Sequence, residues 1–221
     1  MVILMSEILL YLSSAFILFS FIGYILMVTF EGNTIITKSN GFDVTKDMIS
    51  QYNSINIIEN NSYFTVYNIK RKVIKIASKC YYGSSISDIS LPLIEAGISV
   101  SDNNKNKFIN IVRTIFSNLK WLYIFPLISI FINYSTYNIS DAKVSIVFIL
   151  FFLLISYMII DIKAEAYSWI DSNLKKIKSI TKDNNIKIIN FVNRVIFFDK
   201  IIFFGYLIMI VRFVLILLEI N

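Results

Sequence analysis

The chain has 221 residues, 56% of them hydrophobic, with a mean hydropathy of +0.67 and a formal net charge of +6. A soluble domain disperses its apolar residues; here they fall in long uncharged runs that suit helices inside lipid, so the class is a mainly α membrane protein. There is no histidine and one cysteine, Cys80, which excludes the commonest zinc ligand, the usual general base, Ser-His and Cys-His pairings, and any internal disulfide.

In chain order, Ile8–Phe30 is an uncharged run long enough to cross a bilayer. Met1–Glu7 carries an acid and no basic residue, so the run reads as a retained span rather than a signal peptide. Residues 31–118 are polar enough to lie in water. Within them, Phe42, Val44, Met48, Ile49 and Tyr52 have helical spacing. Tyr63–Tyr67 and Lys72–Ala77 alternate and are β-rich, with Asn68-Ile-Lys-Arg between them, which predicts a hairpin. Gly83-Ser-Ser-Ile-Ser-Asp supplies turn and N-cap chemistry before a short helix over Leu91–Ser99, with Pro92 in its first turn. Cys80 reads as a small residue in a half-buried position.

An amphipathic helix is predicted from Phe108, then spans at Leu119–Tyr137 and Val144–Ile160 joined by the short loop Asn138–Lys143. Residues 161–200 are charged and mostly helical, with a break near Thr181-Lys-Asp-Asn-Asn, and Ile201–Leu218 is a last apolar run holding Arg212. Trp121, Tyr134 and Tyr137 fit interface anchors. Arg212 inside a span reads as a functional polar path or, more simply, as a side chain that snorkels or pairs within the bundle.

Lysine and arginine placement gives orientation. Residues 31–120 hold eleven, residues 161–200 hold eight, and the Asn138–Lys143 loop holds one. Four spans with both basic segments on one side satisfy the positive-inside rule, placing the polar segments in the cytoplasm of a multi-pass cell-membrane protein. The basic charge is thereby a topology signal. No basic run is interleaved with aromatics as in RNA-binding proteins, so no nucleic-acid partner is expected, and the lipid bilayer is the first partner implied. The domain organisation expected is residues 1–30 as an N-terminal span, 31–118 as a polar α+β segment, 119–160 as a transmembrane hairpin, 161–200 as a helical hairpin and 201–221 as a C-terminal span.

The stretch with the most chemical content is Ser90–Ser99, SLPLIEAGIS, an apolar helix with one carboxylate, Glu95. Its spacing invites comparison with H-E-x-x-H, in which two histidines at i and i+4 share a helix face and hold zinc. The two histidine positions here are Ile94 and Ile98.

Over Tyr67–Ser99 the sequence resembles the bacterial neutral zinc metallopeptidases of the YugP type, whose cytoplasmic segment carries H-E-A-G-H. Tyr67, Lys72, Tyr81, Gly83, Ser85, Ile86, Ile89, Glu95, Ala96 and Gly97 coincide with the family's pattern without a gap. Gly41–Ile49 is similar to a helix of that family, and Ser117-Asn-Leu-Lys-Trp to its S-N-L-S-W before the second span. The resemblance implies a small zincin-like segment on a four-span protein, with zinc held by two histidines and a later carboxylate, and the motif Glu activating water. Only that Glu survives, as Glu95. The family's later carboxylate aligns with Lys163, and its following acid with Glu165.

A catalytic zinc needs three ligands with lone pairs and an open water site. Isoleucine offers none, and a lysine ammonium repels the cation. The expectation is therefore a degenerate member without zinc or other cofactor, a pseudoprotease that binds a protein partner, an intact homologue or a substrate. In it Glu95 is a remnant of the general base, ion-paired with Lys163, because an unpartnered carboxylate on an apolar helix is costly. The alternatives are an active peptidase with unaligned metal ligands, for which Glu95 with Glu165 is a weak beginning, and a structural subunit of a membrane complex. No spacing places a Ser-Lys dyad.

Overall fold

A computed structural model of the chain describes residues 2–52, 54–62, 64–102, 125–177 and 180–218. In chain order its elements are α1 (Val2–Leu26), a π-spaced turn (Met27–Glu31), α2 (Gly41–Ile49), β1 (Asn56–Asn60), β2 (Val66–Asn68) and β3 (Val73–Ala77). Then come α3 (Ser78–Tyr82), α4 (Ile86–Asp102), α5 (Phe125–Ser135), α6 (Ile139–Leu174) and α7 (Lys182–Leu218). The molecule is mostly helical. Among the described residues, three helices are long and apolar enough to cross a membrane: Leu4–Glu31, Ile139–Leu174 and Lys182–Leu218.

The fourth expected span, Leu119–Tyr137, is represented by the shorter apolar helix α5; residues 119–124, with Trp121, lie outside the described residues, as does the helix expected from Phe108. The spans expected at Val144–Ile160 and Ile201–Leu218 are parts of the longer helices α6 and α7. No breaker separates their apolar and charged halves, so each helix runs through the change in composition. The break falls after Leu174 and before Lys182, close to Thr181 as its sequence indicates.

The chain divides into two compact units. One comprises Met1–Ile25, Trp121–Ile160 and Phe197–Asn221, the other Leu26–Lys120 and Asp161–Ile196. The first unit is an apolar bundle with a core of Ile17, Ala142, Ile149, Phe152, Tyr206, Met209, Phe213 and Ile216. Small residues let its helices approach. A Cβ at Gly205 would sit 2.7 Å from Ile17, and one at Gly23 would overlap the Phe198 ring. Ser20 donates to the Phe198 carbonyl at 2.7 Å. Close approach through small residues is the ordinary solution where lipid leaves no hydrophobic drive between helices.

The second unit holds a three-stranded sheet in the order β1-β3-β2. The expected hairpin is present, but its first strand is Val66–Asn68 rather than Tyr63–Tyr67, so Asn68 belongs to the strand: β2 pairs antiparallel with β3, Tyr67 opposite Ile74. Its turn is set by Asn68, whose side chain accepts from Arg71 N at 3.0 Å, and by Lys72 at φ +50°. A strand the sequence reading lacked, β1, lies parallel to β3 on the other side, Asn56 opposite Val73. Asn56–Asn60 alternates weakly and ends in asparagines, so propensity alone does not announce it. The sheet packs on Ile49, Ile55, Cys80 and Ala96. Cys80 is buried rather than half-buried, and loss of solvation pushes its thiol up to about 11, which leaves it a protonated packing residue.

Helix α4 is longer than its sequence announces and begins at Ile86, not Leu91. Ser85 and Asp88 form a reciprocal cap: Ser85 Oγ accepts from Asp88 N at 3.3 Å, and Asp88 Oδ2 accepts from Ser85 N at 3.3 Å. Ile86 N and Ser87 N then donate to the Thr34 and Gly32 carbonyls, both at 2.9 Å. Pro92 therefore lies inside the helix instead of in its first turn. It removes the donor to the Asp88 carbonyl, and that carbonyl faces α2 at Gly41, where a Cβ would intrude.

Candidate functional site

The Glu95 region is assembled by α4, β2 and the Asp161–Leu174 part of α6, all in the second unit. Glu95 Oε2 accepts from the backbone N–H of Tyr67, the middle residue of β2, at 2.7 Å. The pairing of β2 with β3 leaves this N–H turned away from the sheet, and the carboxylate of α4 meets it there. Tyr67 itself is buried at the centre of the sheet core.

On the other side, α4 touches α6 without room for a side chain: a Cβ at Gly97 would lie 2.8 Å from both Cα and Cβ of Ala166. This contact fixes the register of the two helices and brings Lys163, one turn before Ala166, into electrostatic range of Glu95.

Enough protein surrounds the Glu95 carboxylate to raise its pKa from 4.5 to about 7, although the residue keeps partial exposure by area. Desolvation is the largest influence; the Tyr67 hydrogen bond and then the Lys163 charge oppose it. The Lys163 charge acts on Glu95 as the sequence leads one to expect, with a backbone donor beside it. The Tyr67 N–H lowers the carboxyl pKa more than the Lys163 charge does. The sequence had no signal for the Tyr67 N–H, because a main-chain donor carries no residue identity.

Ile94 is 4% exposed, and Ile98 is partly buried against the sheet core. Both behave as core side chains. Glu165 follows Lys163 on α6, and among the described residues no group of three or more His, Cys, Asp or Glu side chains could hold a metal.

The chain matches none of the protein-family models, curated proteins or solved structures compared with it. What can be said of the site rests on its chemistry.

Arg212 belongs to the first unit and forms a separate constellation. It is 3% exposed, and its guanidinium donates to Asn133 O (2.8 Å), Asn133 Oδ1 (3.1 Å) and Thr136 O (2.8 Å). Asn133 in turn donates to Ser13 Oγ at 2.9 Å, Ser14 Oγ at 3.2 Å and the Leu10 carbonyl at 3.3 Å. Thr136 shares a hydrogen bond with Ser145 at 2.7 Å. The arginine thus caps the C-terminal carbonyls of α5 and ties four helices, the pairing role that its position in the sequence allowed. Tyr134 and Tyr137 are exposed, as interface anchors would be.

Proposed function

We propose that this is a multi-pass membrane protein on a zinc-metallopeptidase-like plan, whose polar unit works by binding a protein partner or substrate rather than by cutting it. The observation that carries this reading is the state of Glu95. It sits between Ile94 and Ile98 on α4, its carboxylate is bonded to the Tyr67 N–H, and the charge acting on it comes from Lys163. A zinc ion does not fit this donor set. The two flanking positions have no lone pairs, and a cation placed beside Glu95 would meet the lysine's positive charge. On this reading four segments cross the cell membrane and the polar unit faces the cytoplasm, where the excess of lysine and arginine places it.

One observation favours the competing enzyme reading. A carboxyl group with a pKa of about 7 is in the range of a general base, and unlike Cys80 it keeps some access to solvent. Metal analysis of purified protein, paired with a cleavage assay on an unfolded substrate, separates the two. The binding reading expects substoichiometric zinc and no chelator-sensitive cleavage. Stoichiometric zinc with such cleavage overturns it. Exchanging the charges in Glu95→Lys with Lys163→Glu tests the electrostatic link, which fails if the double variant recovers none of the stability lost by either single one.

A further inference from the structure

The two edges of the sheet are treated differently. On β2 the outward N–H of Tyr67 is taken by Glu95. On β1 the outward groups meet nothing among the described residues. Asn56 N donates across the sheet to the Lys72 carbonyl at 3.1 Å, and Ser78 Oγ donates to the Asn60 carbonyl at 3.3 Å. Alternation along the strand therefore aims the backbone groups of Asn56, Ile58 and Asn60 at β3, and those of Ile57 and Glu59 away from the sheet.

Natural edge strands are guarded by lysine, proline, a bulge or a covering element. Asn-Ile-Ile-Glu-Asn has none of the first two, pairs with β3 in unbroken register, and leaves Ile58 45% exposed. Its single charge, Glu59, accepts a hydrogen bond from the Tyr82 hydroxyl at 2.8 Å.

The geometry points to a second copy of this chain as the occupant of the edge: β1 pairs antiparallel with β1 of the other copy about a two-fold axis through Ile58. Under this two-fold three of the strand's five positions meet their own residue type, which matches its polar ends with each other and its apolar centre with itself. Asn56 falls opposite Asn60, Ile57 opposite Glu59, and Ile58 opposite itself. The residues that then face each other as hydrogen-bonded pairs are Ile57 and Glu59, the two whose N–H and C=O groups point outward, and each pair exchanges bonds in both directions. Ile58 becomes a non-hydrogen-bonded pair, where side chains approach most closely, and its exposed apolar surface is buried against its own image. Such a contact is isologous and closes at two copies, so it does not propagate into fibres.

Cysteine cross-linking in native membranes tests this. The buried Cys80 gives little background, and the opposed Cα atoms of a non-hydrogen-bonded pair, about 4.5 Å apart, lie within the range a disulfide spans. Ile58→Cys should form a disulfide-linked dimer under mild oxidant roughly tenfold faster than Ile186→Cys, an equally exposed site on α7, because paired strands hold the two thiols at high effective concentration. Asn56→Cys mixed with Asn60→Cys should cross-link to each other faster than either does to itself. Two variants should abolish the dimer while keeping the helical content and monodispersity of the parent: Ile58→Lys, which adds an edge charge, and Glu59→Pro, which removes an outward N–H together with the carboxylate that Tyr82 bonds. The proposal is overturned if Ile58→Cys stays monomeric, if it cross-links no faster than Ile186→Cys, if it joins only to a different protein, or if well-folded Ile58→Lys remains dimeric.

Discussion

Arg212 and Glu95 are the same problem in two regions of the molecule, a single charge on an otherwise apolar stretch of helix, and the two regions solve it differently. In the bundle Arg212 has three acceptors supplied by Asn133 and Thr136, and Asn133 is itself fully engaged. In the polar unit Glu95 has the Tyr67 N–H and a lysine's field, and its pKa stays raised. The difference follows from solvent. An apolar bundle in lipid has no water to complete a deficient shell, and acceptors are built in for both terminal nitrogens of Arg212, leaving its Nε without one among the described residues. A partly exposed carboxyl can take up a proton instead, which caps the penalty.

The comparison breaks most readily at Arg212. Arg212→Leu leaves the Asn133 and Thr136 carbonyls without donors inside the bundle, and a cost of roughly 3 kcal/mol or more is expected from stranded buried acceptors. Thermal unfolding in mild detergent should register it, and Arg212→Lys should lose part of the effect because an ammonium lacks the guanidinium fork. A full-stability Arg212→Leu variant would mean that the network is incidental.

Glu95→Gln should move stability the other way. Because the folded pKa, about 7, lies above the ordinary carboxyl value of 4.5, the folded state holds the proton more tightly. The stability associated with this group is thus fully present below 4.5 and is lost as pH rises through 7. Glutamine can still accept from Tyr67 N–H and carries no charge. Stability at pH 8 should rise by as much as roughly 3 kcal/mol, from the conversion of about 1.4 kcal/mol per pKa unit, and the fall between pH 4.5 and 7 should flatten. Chemical denaturation at pH 5 and pH 8 gives both numbers.

At the contact that aligns α4 with α6, Gly97→Ala places a methyl group against the backbone of Ala166, which cannot swing aside. A loss of about 1–3 kcal/mol is expected, together with a change in the Glu95 titration as Lys163 is displaced. The smallest effect belongs to the Arg194–Glu31 ion pair, whose side chains are half exposed. Glu31→Gln should cost under about 1 kcal/mol, and less in high salt.

Much of the architecture is legible in the residues because local patterns decide it. The apolar runs at Ile8–Phe30, Val144–Ile160 and Ile201–Leu218, the α2 periodicity and the break near Thr181 are found where composition and spacing put them, and a β2–β3 hairpin forms, with its first strand at Val66–Asn68 instead of Tyr63–Tyr67. The errors have a common cause. Pro92 looks like a first-turn residue, yet α4 starts earlier because the Ser85–Asp88 cap, fastened by the Gly32 and Thr34 carbonyls, lies ahead of it. Strand β1 carries no sequence signal because a five-residue asparagine-bounded segment becomes a strand only when β3 is beside it.

The sequence by itself determined that this is a helical protein with membrane-crossing stretches, that it lacks histidine, and that Ile94 and Ile98 flank a lone Glu95, since those are statements about residue type and period. Tertiary structure alone decided what the lone charges meet. The donor for Glu95 is a main-chain N–H on a distant strand, and the acceptors for Arg212 are main-chain carbonyls at the end of another helix. Backbone groups are present at every position, so which of them is left unpaired and aimed at a side chain is fixed only when the elements have packed.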